Sequence, residues 1–165
     1  PSLVVVLVPF LVAGCSTLDA LNPFASSGPK MAELRPIDAT VQARAIWQEG
    51  VGKSDDYAFT PAVVGSSVYS ASRDGTIVRL DDGQPVWRIK AEQALSGGVG
   101  ADARIVAVGT AKGDVFAFDA ADGKLVWKAK ASSEVISPPA VGQVILVVRS
   151  GAHRVAAYDT SHCKR

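Results

Sequence analysis

Ala117-Phe118-Asp119-Ala120-Ala121-Asp122-Gly123-Lys124-Leu125-Val126-Trp127 decides the fold, because it is one phrase of a repeat. A short apolar strand ends in Asp, a turn of small residues follows with Gly, and the next strand carries Trp. The same order occurs upstream in Thr76-Ile77-Val78-Arg79-Leu80-Asp81-Asp82-Gly83-Gln84-Pro85-Val86-Trp87, two residues shorter in the turn. It begins again downstream in Val155-Ala156-Ala157-Tyr158-Asp159. Tryptophans stand at 47, 87 and 127, each 40 residues from the last.

Outward from this phrase the rest of the repeat also recurs. Thr60-Pro61-Ala62-Val63-Val64-Gly65 and Ser137-Pro138-Pro139-Ala140-Val141-Gly142 open the first and third copies, and Gly97-Gly98-Val99 opens the second. In the second copy, strands are predicted near 97–101, 103–109, 114–119 and 124–129. Asp and Gly at the joints supply the positive φ that tight hairpins need. Four strands in a period near 40 residues predict one blade of a β-propeller. A flat β-sandwich is the competing architecture, but its strands would not recur in a fixed order. The expected fold is therefore all-β: a propeller fragment of roughly three four-stranded blades.

The repeat residues have structural work to do. Trp47, Trp87 and Trp127 can each pack between neighbouring blades. Asp81, Asp119 and Asp159 can accept N–H groups of the turns they open, and Gly83 and Gly123 can take the left-handed conformation. A cofactor site is the alternative reading of the same residues. Trp47 precedes the first complete copy, so a strand is expected over 45–51, where it would complete the last blade and close the ring.

Composition narrows the function. The chain has 165 residues, with 17 Lys and Arg against 16 Asp and Glu, and no basic run. Nucleic-acid binding is not expected from that balance. Two cysteines, Cys15 and Cys163, form neither a disulfide framework nor a metal-ligand pattern.

Residues 3 to 14, Leu-Val-Val-Val-Leu-Val-Pro-Phe-Leu-Val-Ala-Gly, carry no charge. The run is about 12 residues long, whereas a membrane-spanning helix needs roughly 20, so it reads as the apolar part of a signal peptide. The first residue is Pro, and the start of the gene product is expected to be missing. Leu11-Val12-Ala13-Gly14-Cys15 resembles the lipobox of bacterial lipoproteins. The resemblance implies cleavage before Cys15 and lipidation of its sulfur; a buried Cys closing an apolar helix is the alternative. Ser16 rather than Asp then implies sorting to the outer membrane. Asn22-Pro23-Phe24-Ala25-Ser26-Ser27-Gly28-Pro29 has linker composition. The expected division is 1–14 signal peptide, 15–44 lipidated Cys and flexible tether, and 45–165 partial propeller.

Other constellations fail to build a site. His153 and His162 have no partner at metal spacing. Asp55-Asp56 is a carboxylate pair without a visible pocket. The Asp-Gly pairs beginning at 74, 82 and 122 read as turns, not as a calcium loop.

The phrase ending in Trp127 resembles the repeat of the PQQ-dependent dehydrogenase type, Ala-x-Asp-x-x-Thr-Gly-x-x-x-Trp, with Asp122 in place of Thr. Together with Cys15, the Asn22-Pro23-Phe24 tether, the leading Trp47 and the Pro-Ala-Val starts, the chain resembles the non-enzymatic BamB family of outer-membrane protein assembly factors. That resemblance implies eight blades, no cofactor, and anchoring at the periplasmic face of the outer membrane. The implied partners are subunits of the β-barrel assembly machinery, chiefly its barrel subunit, and unfolded outer-membrane proteins. The family pattern would continue with Gly near 163 and Trp near 167. Ser161-His162-Cys163-Lys164-Arg165 instead suggests a truncated or frame-shifted reading, with Cys163 an accident of the end. A fragment of a periplasmic PQQ-dependent dehydrogenase is the second reading.

Overall fold

The computed structural model describes residues 40–160. The chain divides into two units, Pro1–Ala43 and Arg44–Arg165, and the described residues lie almost wholly in the second. The lipobox, the tether before residue 40, His162 and Cys163 lie outside the described residues.

All regular structure among the described residues is β. The first sheet comprises β1 (Ala62–Val64), β2 (Ser67–Ala71), β3 (Thr76–Asp81) and β4 (Gln84–Lys90). The second comprises β5 (Gly97–Ala101), β6 (Ile105–Gly109), β7 (Asp114–Asp119) and β8 (Leu125–Lys130), and the third β9 (Ala140–Val141), β10 (Ile145–Ser150) and β11 (Arg154–Asp159). Each sheet is an antiparallel meander in chain order. These are successive propeller blades. The third shows three strands where four were expected, because the described residues end at Thr160, one residue beyond β11.

The pleat explains the sequence of the middle blade. Successive side chains of a strand point to opposite faces, and the second blade is covered on both. Val106, Val108, Phe116 and Phe118 point into one core with Tyr69, Ala71 and Ile77 of the first blade. Ile105, Ala107, Val115, Ala117 and Trp127 point into another with Leu146, Val148 and Tyr158 of the third. Every residue of β6 is therefore buried, and the strand reads as an unbroken apolar run rather than an alternation.

The glycines of β5 have a different cause. The inner strands of neighbouring blades converge. Phe59 forms a parallel bridge to Gly98, and the Val99 amide donates to the Thr60 carbonyl at 3.0 Å. On the other side, a Cβ on Gly97 would sit 2.7 Å from the carbonyl oxygens of Val135 and Ser137, and one on Gly100 would overlap the Pro139 carbonyl oxygen. Only glycine lets the backbones come this close.

The outer hairpins share an irregularity. Arg79 pairs with Trp87 but Leu80 with Pro85; Ala117 pairs with Trp127 but Phe118 with Leu125. Val86 and Val126 are thus the extra residues of two equivalent bulges, each immediately before a Trp. A bulge re-aims the side chains beside it, and here it precedes the residue that reaches the next blade.

The expected strand over 45–51 does not form; those residues carry no regular structure. A strand needs a neighbour's N–H and C=O groups, and no described strand pairs with this segment. Trp47 nonetheless packs on the first blade. A Cβ on Gly83 would lie 2.5 Å from the Trp47 ring, and Arg88 donates to the Glu49 carboxylate at 2.9 Å and the Gly50 carbonyl at 3.2 Å.

Candidate functional site

The repeat residues meet at the seams between blades. The Trp87 indole donates to the Ala120 carbonyl at 3.1 Å, and the Trp127 indole donates to the Thr160 carbonyl at 3.1 Å. In both cases the acceptor is 33 residues further on, which is the matching position in the next blade. The Trp87 ring also covers Gly123, where an added Cβ would lie 3.2 Å from it. Trp47 over Gly83 has the same 36-residue offset as Trp87 over Gly123. Tyr69 and Trp87 lie 6.0 Å apart, and Trp127 and Tyr158 6.2 Å apart.

The aspartates of the phrase are not equivalent. Asp119 Oδ1 accepts the amides of Ala121 at 2.7 Å and Asp122 at 3.3 Å, so it organises the turn it opens. Asp81 instead holds Arg79, with Nε–Oδ1 at 3.0 Å and Nη2–Oδ2 at 2.8 Å. This departs from the expected turn cap, and turn length is the reason. Asp81 and Gln84 flank a two-residue loop in which Asp82 has φ 50° and Gly83 φ 79°, so there is no longer loop for the carboxylate to span. The Arg79 guanidinium holds the Asp81 carboxyl below its ordinary value. Arg79 Nη1 also reaches the Ala120 carbonyl at 3.2 Å, and the Tyr69 hydroxyl donates to it at 3.4 Å. Three donors from the first blade thus share one acceptor on the second. Gly123 has φ 74°. Asp159 ends β11 opposite Ile145.

The remaining candidates are dispersed. His153 is exposed in the β10–β11 turn with φ 57°. Asp55 and Asp56 lie in an exposed turn. Asp74-Gly75, Asp82-Gly83 and Asp122-Gly123 all fall in hairpin turns. Among the described residues no three His, Cys, Asp or Glu side chains gather as a metal site. No described helix is long and apolar enough to cross a membrane.

Two polar features were not visible in the repeat. Asp114, almost buried in β7, accepts from the Gln93 amide at 3.0 Å and from Lys130 at 3.3 Å, with Lys128 at 4.0 Å. Burial acts to raise its pKa; the Gln93 amide and the Lys130 and Lys128 ammoniums outweigh that, and the value lies below the ordinary 3.8. A carboxylate with a lowered folded value stabilises the protein above its unfolded pKa and ceases to do so as pH falls through the folded value. The melting temperature is therefore expected to drop as pH falls below 3.8. Asp114→Asn should flatten that drop and cost about 1–2 kcal/mol at neutral pH; thermal melts at both pH values check this. The second feature is a cleft between the first two blades, lined by Arg73, Glu92, Gln93, Ala94, Ala111 and Lys112. These residues come from three separate turns and crossovers, so no single phrase of sequence announces them.

Known proteins resemble this chain throughout the blades. The family profile described as outer membrane protein assembly factor BamB matches residues 73–165, more than half of the chain. The BamB of Bordetella pertussis is 36% identical over 159 residues, covering 94% of this chain and 41% of the relative. That of Burkholderia pseudomallei is 39% identical over 130 residues, covering 78% and 33%. The chain thus spans well under half the length of these relatives. Among solved structures, BamB from Moraxella catarrhalis superposes with a TM-score of 0.60 at 23% identity, over 71% of this chain and 36% of that one. A quinohemoprotein alcohol dehydrogenase from Pseudomonas putida superposes with a TM-score of 0.61 at 22% identity, over 72% and 21%. Both structural likenesses establish the blade fold, and the match over residues 73–165 goes further: the chain belongs to the family of the outer membrane protein assembly factor BamB.

Proposed function

We propose that this chain is part of a non-enzymatic, lipid-anchored scaffold for the assembly of outer-membrane β-barrel proteins. The observation that carries the reading is the family match over residues 73–165. The blade architecture supports it. Its recurring Trp, Asp and Gly residues lie in turns and seams, where they hold blades together. Cys15, at the end of an uncharged apolar run, would carry the lipid at the periplasmic face of the outer membrane. One acyl chain binds membranes only marginally, so stable anchoring needs two or more. Residues 1–14 would be removed, and residues 15–44 would let the blades stand away from the membrane. The proposed partners are the barrel subunit of the assembly machinery and unfolded barrel substrates. The likeness to the alcohol dehydrogenase is one of fold at 22% identity and adds no reason for an enzyme.

The test joins anchoring to assembly. The gene is deleted and complemented with tagged wild type or Cys15→Ala, with palmitate labelling. Deletion should lower the levels of large outer-membrane barrels, and wild type should restore them, take up label and co-purify with the barrel subunit. Cys15→Ala should take up no label. Normal barrel levels on deletion, with no assembly subunit co-purifying, would remove the assembly role. Equal label in both proteins would remove the anchor.

A further inference from the structure

The cleft between the first two blades has a volume of about 280 Å³. It opens beside the β2–β3 and β6–β7 turns, at one end of the sheets. Its cations are held or left in a particular way. The Arg73 guanidinium lies 4.3 Å from the centre of the Tyr57 ring, and its Nη1 donates to the Leu95 carbonyl at 2.6 Å. Stacking and one hydrogen bond hold the group in place before any ligand arrives, and the other donors of its planar fork remain. Lys112 is exposed and has no ion-pair or hydrogen-bond partner among the described residues. It stands at the head of a turn closed by the Gly113 amide on the Thr110 carbonyl at 2.9 Å and the Asp114 amide on Thr110 Oγ1 at 3.0 Å. The amides of Ala111 and Lys112, in the middle of that turn, donate to no described acceptor.

Of the other polar side chains of the cleft, Gln93 is engaged and Glu92 is largely exposed. The Glu92 carboxylate approaches Lys128 at 3.9 Å, and the Gln93 amide donates to Asp114 at 3.0 Å. What the cleft presents to a ligand is therefore a fixed guanidinium and a free ammonium, which suit an anion, with the Glu92 carboxylate in the same lining.

We propose that this cleft docks an Asp or Glu side chain from an extended acidic segment of a partner protein. The fork of an arginine matches a carboxylate in two parallel hydrogen bonds, and the volume suits one or two side chains rather than a surface. A membrane is disfavoured by the number of charges. Recognition of anionic lipid surfaces uses clusters of about 4–8 basic residues, whereas two line this cleft beside an acidic one. The proposal goes beyond the assembly role and does not depend on it.

The test uses the full chain in mild detergent and two probes. One is a fluorescein-labelled peptide of alternating Glu and Gly residues, followed by anisotropy. The other is phosphatidylglycerol vesicles, followed by co-sedimentation. The variants are Lys112→Glu, Arg73→Gln, and Arg154→Glu as a control of equal charge change on the exposed edge of the third blade. Peptide should bind wild type and weaken with added salt. Lys112→Glu should weaken it by about tenfold or more, as expected for reversing a charge at the site, while Arg154→Glu should change it by less than about twofold. Arg73→Gln should weaken it as well, and the exposed Lys112 variant keeps the test decisive if loss of the Leu95 contact perturbs the fold. Three outcomes would overturn the proposal: no binding of peptide to wild type, equal weakening by Lys112→Glu and Arg154→Glu, or vesicle binding sensitive to Lys112→Glu without peptide binding.

Discussion

Trp127→Ala is expected to destabilise the blades by about 3–5 kcal/mol, as truncation of buried aromatic residues does. Trp127 is 8% exposed and sits in the core shared by the second and third blades. Its removal has three unfavourable consequences together. The ring's packing against Tyr158 and its neighbours is lost, a cavity opens at the seam, and the buried Thr160 loses the indole donor to its carbonyl. Trp127→Phe separates these effects: most of the packing stays, the hydrogen bond goes, and the loss should be about 1 kcal/mol. Trp87→Ala should cost less than Trp127→Ala. Trp87 is only half-buried, and its acceptor, the Ala120 carbonyl, keeps donors from Arg79 and Tyr69. Urea unfolding of the variants gives the comparison. A loss for Trp127→Ala no larger than that for the exposed Val126→Ala would contradict the seam as described.

Gly100→Ala should produce the second large loss, towards the upper end of the range of about 1–3 kcal/mol typical of overpacking. The added methyl has no room, because it would overlap the Pro139 carbonyl oxygen and approach the Val141 side chain at 3.1 Å. That obstacle is the backbone of the next inner strand, which cannot rotate away as a flexible side chain can. The second and third blades must separate or the strand must shift. Gly50→Ala is the control, since a Cβ there meets nothing within 4 Å. Its stability should stay within about 0.5 kcal/mol of wild type. Equal stability of the two variants would show that the inner strands are not packed as closely as the structure has them.

The sequence by itself determined the repeat and what the repeat requires locally. The spacing of Trp47, Trp87 and Trp127 set the period. The second copy's expected strands lie within two residues of β5, β6, β7 and β8 at each boundary. Asp82-Gly83 and Asp122-Gly123 marked the hairpins, because positive φ is a local demand that few residues meet.

Only the tertiary structure decided which side of each strand meets which blade. Val106 and Ala107 are neighbours in sequence but belong to different cores. A strand that alternates with a period of two and is covered on both faces shows no polar side to read. The structure also divided the roles of Asp81 and Asp119, since a turn two residues shorter leaves the carboxylate nearer to Arg79 than to turn amides. It gave Trp47 a place over Gly83 without the expected strand, because side-chain packing needs only a surface whereas a strand needs backbone pairing. The cleft was the least legible feature. Tyr57, Arg73 and Lys112 are far apart in the chain and carry no shared motif. They meet because adjacent blades pack side by side, which places the turns at one end of each sheet next to one another.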